Sequence, residues 1–194
     1  MNFGIAAAVF GIVALAELPD KTMIANIVMG SRGRPLPVWL GSGAAFAIHA
    51  AVAVVAGRFL QLLPHRTLEI IVAVAFGLGA LYLLFVPERA EKEKGEQGAE
   101  GVAGNRAWRL AFSAFLVILV GEIGDLTQLL IVNLEAKYKS PASVFVGGYL
   151  ALLAVSAVGA FSGRALLRFL PLSVIRRLGG VALLGFFAYT LATV

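Results

Sequence analysis

Two short stretches carry most of the groups in the apolar part of this chain that could do chemistry. Glu17-Leu18-Pro19-Asp20-Lys21-Thr22 is matched by Glu122-Ile123-Gly124-Asp125-Leu126-Thr127 at an offset of 105 residues, with Glu, Asp and Thr agreeing in order. The chain has eleven acidic residues. Glu69, Glu88, Glu91, Glu93, Glu96, Glu100 and Glu135 fall in a polar segment or at expected helix ends; Glu17, Asp20, Glu122 and Asp125 fall inside apolar runs. An ionised side chain at the centre of a membrane helix costs about 2.5–3.5 kcal/mol on the lenient insertion scale. Four of them must be offset by protonation, pairing or a bound cation.

The spacing favours a cation. Glu and Asp three apart share one face of a helix. Lys21 stands four residues after Glu17, a spacing that suits an ion pair within a helix, and one ammonium offsets only part of the negative charge. Thr22, Thr127, Asn26 and Gln128 add neutral oxygens. Pro19 and Gly124 are expected to break the two motif helices and so free backbone carbonyls. An all-oxygen ligand set with no cysteine suits hard cations such as calcium, magnesium or manganese. His49, in the middle of an apolar run, is read as a packing and hydrogen-bonding residue rather than a proton relay.

The elements that position these groups follow from composition. The 194 residues are 60% hydrophobic and 14% charged, against about 25% charged in soluble domains. Apolar runs at about 3–30, 38–57, 67–86, 108–134, 142–163 and 174–193 are long enough for helices spanning a bilayer, which take roughly 20 residues each. Backbone polar groups in lipid are satisfied only within helices or closed barrels, so the expected fold is an all-α polytopic membrane protein. The first run lacks a basic leader and is read as a retained helix. Residues 87–106, with Glu91-Lys92-Glu93-Lys94-Gly95-Glu96, have too little apolar content to bury a core. They divide the chain into a first three-helix repeat (1–86), a flexible linker (87–106) and a second three-helix repeat (107–194).

Further correspondences support the duplication: Gly57-Arg58 with Gly163-Arg164, Pro64 with Pro171, and Tyr82 with Tyr189. Three spans per repeat make the second copy enter from the opposite side, an inverted repeat of the kind found in secondary transporters. Eleven Lys and Arg on the side that includes the linker, against Arg58, Arg66, Lys137 and Lys139 on the other, place the linker in the cytoplasm and both termini outside. The net charge of +5 is that bias; no basic stripe interleaved with exposed aromatics suggests a nucleic-acid partner. Trp39 and Trp108 are expected as interface anchors, and Gly159 with Gly163 as a close-packing pair.

The doubled Glu-x-Gly-Asp-[Lys/Arg]-[Ser/Thr]-type motif, one per three-helix half, resembles the GDT family of cation/proton exchangers, which includes Golgi calcium/manganese transporters and bacterial manganese exporters. The resemblance spans essentially the whole chain. It implies that Glu17, Asp20 and Thr22, with Glu122, Asp125, Thr127 and Gln128, bind the transported cation; Lys21, Asn26 and His49 are read from their positions as accessory. Two positions depart from the family pattern: Pro19 stands where Gly is usual, and Leu126 where Lys or Arg is usual. The implied activity is secondary active export of Mn2+ or Ca2+ against protons across the cell membrane, with no cofactor and no enzymatic reaction. Rival readings are an exporter of amino acids or another small cation on a similar fold, a membrane-embedded carboxylate hydrolase, and a scaffold. The oligomeric state is left open.

Overall fold

The computed structural model describes residues 1–18, 21–32, 34–62, 64–85, 107–123 and 125–162, together with isolated helical positions between Arg177 and Leu191. The linker 87–106, Pro19, Asp20, Gly124, Gly163, Arg164, Pro171, Tyr189 and most of the expected sixth helix lie outside the described residues. All regular structure among the described residues is helical: α1 (Phe3–Glu17), α2 (Lys21–Arg32), α3 (Pro35–Leu60), α4 (His65–Phe85), α5 (Ala107–Gly121), α6 (Leu126–Tyr138) and α7 (Pro141–Ala157), which runs on into a π-helical turn (Val158–Ser162).

Local chemistry sets the helix ends. The Asn2 side chain caps α1 by accepting from the amides of Gly4 at 2.9 Å and Ile5 at 3.3 Å. Pro35 and Pro141 open α3 and α7, where a missing N–H leaves no bond unmade. Lys139 closes α6 in the left-handed region at φ 51°, its amide donating to the Glu135 carbonyl at 2.9 Å.

Helix α3 has 26 residues, about 39 Å at 1.5 Å per residue, enough to cross a hydrocarbon core of about 30 Å. Its outer stripe of Leu36, Leu40, Ile48, Val52, Val55 and Phe59 is exposed, whereas Ser42, His49 and Gly57 are buried. Helix α5 does likewise, exposing Phe112, Leu116 and Val120 and burying Ala114 and Ile118. Apolar outside with polar groups inside is the pattern lipid imposes. Two further spans are broken: α1 and α2 meet at 74°, and α5 and α6 at 69°. The chain is an all-α polytopic membrane protein built from two repeats, and both motif helices break where Pro19 and Gly124 were expected to break them.

The packing repeats as the sequence does. Helix α1 lies on α7, and its counterpart α5 lies on α3. A Cβ on Gly41 would run into the Ala111 carbonyl, and one on Gly147 into the Ala6 carbonyl. Ala6 corresponds to Ala111 and Gly41 to Gly147, so this is one contact made twice by exchanging the halves. Similarly, α6 packs on α3, and α2 packs on α7 and its π-helical turn. There a Cβ on Gly159 would sit 3.0 Å from the Met23 carbonyl oxygen, in keeping with the expected small-residue packing. Small residues let backbones approach where lipid gives no hydrophobic drive to helix association.

Trp39 departs from the expected role of interface anchor. It is half-buried, donates its indole N–H to the Leu153 carbonyl at 3.0 Å and meets Phe161 edge-on at 6.2 Å, tying α3 to α7. Trp108 is exposed, with the Arg109 guanidinium 5.5 Å from its ring centre. The equivalence of the glycine contacts is testable. Gly41→Ala and Gly147→Ala should each lower stability in detergent by about 1–3 kcal/mol, the usual range for overpacking. Gly11→Ala, which meets open space, should leave it unchanged or slightly raised. Thermal unfolding of the three variants measures this.

Candidate cation site at the helix breaks

Glu17 is the last residue of α1 and only 1% exposed. Each of its carboxylate oxygens accepts a hydroxyl proton from a different half. Thr22, at the start of α2, donates to Oε1 at 2.6 Å; Thr127, in the first turn of α6, donates to Oε2 at 2.7 Å. Hydrogen bonds to an ionised acceptor are shorter and about twice as strong as neutral ones. The two matched threonines, 105 residues apart in the chain, therefore meet on one carboxylate, and the two breaks face each other.

The breaks make this possible. A continuous helix would fix Thr22 more than one turn beyond Glu17 and fill the space between with backbone. Ending α1 at Glu17 and restarting at Lys21 turns the Thr22 hydroxyl back onto the carboxylate. Positive helix N-termini also approach the negative charge, which favours it electrostatically.

A second layer supports Thr22. The Asn26 amide donates to the Thr22 carbonyl at 2.9 Å, and the Ser42 hydroxyl of α3 donates to Asn26 Oδ1 at 2.7 Å. All three residues are buried. The Asn26 oxygen, expected as an accessory neutral oxygen, accepts from Ser42. Sequence reasoning did not single out Ser42; a serine on the inner face of an apolar helix is the signal that pointed to it.

In the second half, Glu122 is buried just beyond α5, and its carbonyl accepts from the Asp125 amide at 3.2 Å. Asp125 is half-buried at the N-cap of α6, with extended backbone and no side-chain cap bond, and Gln128 follows half-buried in the same turn. Glu122 and Asp125 thus lie across a break rather than on one helix face. The helix-face argument does not hold for this pair, because the interruption comes between the two acids. For the same reason Glu17 and Lys21 are not one turn apart on a single helix. Asp20 and the side chain of Lys21 lie outside the described residues.

His49 is buried, and its Nε2 lies 3.1 Å from the Leu119 carbonyl oxygen, a contact that needs the proton on Nε2. It joins α3 to α5, as the hydrogen-bonding reading expected. Among the described residues no three of His, Asp and Glu gather into a group that could hold a metal ion. The oxygens brought together are carboxylate and hydroxyl.

Spans broken at corresponding points, with the breaks facing across a duplicated bundle, are how secondary transporters build their ion sites, and this is a protein of that class. Residues 5–91 and 110–193 match the family model described as divalent cation/proton antiporter GDT1. The chain belongs to that family. No curated protein and no solved structure matches it.

Thr127→Val, which keeps the shape and removes the hydroxyl, should destabilise the protein by about 1.5–3 kcal/mol, the range for a hydrogen bond to a charged group. Thr127→Ser should recover most of the loss. Thermal unfolding in detergent of the two variants beside the wild type reads the difference.

Proposed function

We propose that the protein exports Mn2+ or Ca2+ from the cytoplasm in exchange for inward protons, and that Glu17, Asp20, Thr22, Glu122, Asp125, Thr127 and Gln128 form the exchange site. Membership of a divalent cation/proton antiporter family supports the reaction class. The observation that carries the site is Glu17 receiving one hydroxyl from each half.

A threonine has one hydroxyl proton. With that proton committed to Glu17, Thr22 and Thr127 present only lone pairs to any further ligand. Two neutral oxygens and a carboxylate are a start on the six to eight oxygens calcium takes, or the octahedral set manganese favours. Asp125 and Gln128 lie two and one residues from Thr127 along the chain and would add oxygens from the second half; Asp20 is the counterpart of Asp125, and Glu122 that of Glu17.

Exchange follows if the same carboxylates take up either protons or the metal. A dication entering the site displaces protons, because the two compete for the same oxygens. Rocking of one repeat against the other would then open the site to one side at a time. The Lys and Arg bias supports a cytoplasmic linker with both termini outside. Leu126 at the position of Lys21 leaves the second motif without an internal ammonium, so its acids depend more on bound ions for compensation.

Reconstituted into liposomes, the wild type should take up Mn2+ or Ca2+ when a proton gradient is imposed in the exchange direction, and Mg2+ should compete more weakly. Glu17→Gln and Asp125→Asn should each lower the exchange rate at least tenfold. Wild-type liposomes that move no divalent cation under any proton gradient would overturn the reaction, and normal rates in both variants would overturn the site.

A further inference from the structure

Glu135 was expected at a helix end, away from the functional acids. It is in the last turn of α6, yet it is 0% exposed. Its burial has a local cause. Gly57 of α3 faces it so closely that a Cβ there would stand 2.6 Å from both the Glu135 Cβ and the Val132 carbonyl oxygen. The absence of a side chain at Gly57 lets α6 seat against α3 and close over the carboxyl group.

Its two oxygens are treated differently. Gln61, the C-cap of α3, donates its amide to Glu135 Oε1 and to the Glu135 carbonyl, both at 3.1 Å. Oε2 is buried with no donor in hydrogen-bonding geometry among the described residues, although the Ser140 backbone N–H also acts on the carboxyl group. A buried carboxylate oxygen left without a donor is costly, and the neutral carboxyl group costs less there than the charged one. The position is also one-sided: Glu135 corresponds to Gly30 in the first repeat, so the duplication does not require an acid here.

The charged surroundings disfavour a metal. Arg58 of α3 acts on Glu135 electrostatically. Lys137 and Lys139 follow it in the chain, Arg66 lies at the same end of α4, and the Met1 amino terminus lies at the same end of α1. These cations would repel a dication about twice as strongly as a proton at the same place. Tyr138 is the remaining titratable group on α6 here; the side chains of His65 and Glu69 of α4 lie outside the described residues.

Along α6, Glu135 is seven residues from Gln128, two turns on the same face, and about 10 Å along the axis. It therefore lies between the helix end and the proposed exchange site. We propose that Glu135 is a proton-loading group of the exchanger, distinct from the cation site, taking up the coupling proton at the end of α6 and releasing it toward the break. The step is a proton transfer alone: Oε2 gains a proton from water at the helix end and loses it to a base on the site side, with no change in electron count. This rests on the exchange reaction proposed above.

The test uses the full chain in liposomes, with Mn2+ or Ca2+, whichever the wild type transports, as the probe. Glu135→Gln keeps the shape and the contact with Gln61. It should slow proton-driven cation exchange about tenfold and flatten its dependence on external pH, while cation–cation self-exchange and cation affinity stay within about twofold of wild type. Gln61→Leu removes a donor that favours the charged carboxylate, so it should move the midpoint of the pH profile upward. Should Glu135→Gln not fold, Gln61→Leu alone decides. A wild-type pH profile in whichever of these variants folds would overturn the proposal and reduce Glu135 to a tie between α3 and α6. A wild type with no proton-driven exchange would instead overturn the reaction on which the proposal stands.

Discussion

A carboxylate held away from water has to be answered by donors, and the way Glu17 is answered organises the centre of this protein. One donor is local, from Thr22 across the break, and the other comes from Thr127 in the opposite repeat. Neither half can complete this arrangement alone. The bond from Thr127 ties the repeats together and puts hydroxyl oxygens of both beside one carboxylate. Any change in the charge of Glu17 is felt directly by both halves; on the proposed exchange reaction, that is the coupling alternating access requires.

The glycine contacts supply the frame for that junction. Ala6 with Gly147 and Ala111 with Gly41 bring α1 onto α7 and α5 onto α3 at backbone distance. These are the helices that end at Glu17 and just before Glu122, so their depth of contact sets where the two acids sit. In lipid such closeness comes from small residues rather than from burial of large ones. Gly57 extends the same device to α6, and there it covers a carboxyl group rather than bringing two helix breaks together.

Much of this was legible in the sequence. Apolar run lengths gave the helices, and the repeated Glu, Asp and Thr gave both the duplication and the threonines that meet on Glu17. Pro19 and Gly124 marked the breaks. What stayed hidden depended on facing between elements. Ser42 looks like any small polar residue in a span until α3 turns it onto Asn26. Trp39 reads as an interface anchor from its place near a helix start, but its indole finds the Leu153 carbonyl inside the bundle. Glu135 reads as an acid at a helix end, because nothing local tells that Gly57 covers it. The pair Glu122 and Asp125 was misread for a different reason: helical spacing was applied across a break that the same motif had already announced.

The differences between the repeats are as informative as their likeness. Asn26 and Ser42 form a polar pair where the second repeat has Ile131 and Gly148, and Ile131 packs at 3.2 Å from the Cβ that Gly148 lacks. His49 bonds the Leu119 carbonyl where the second repeat has Val155, packed beside Ala14. Lys21 corresponds to Leu126, and Gly30 to Glu135. The first repeat thus sets the pair of Asn26 and Ser42 behind its break where the second has Ile131 and Gly148, while the second carries a buried acid further along α6. A symmetric exchanger would load protons equally well from either side. A polar pair behind one break and an extra carboxyl group near one membrane face give the two directions unlike electrostatic paths, although the backbone scaffold on which they are mounted is nearly the same in both.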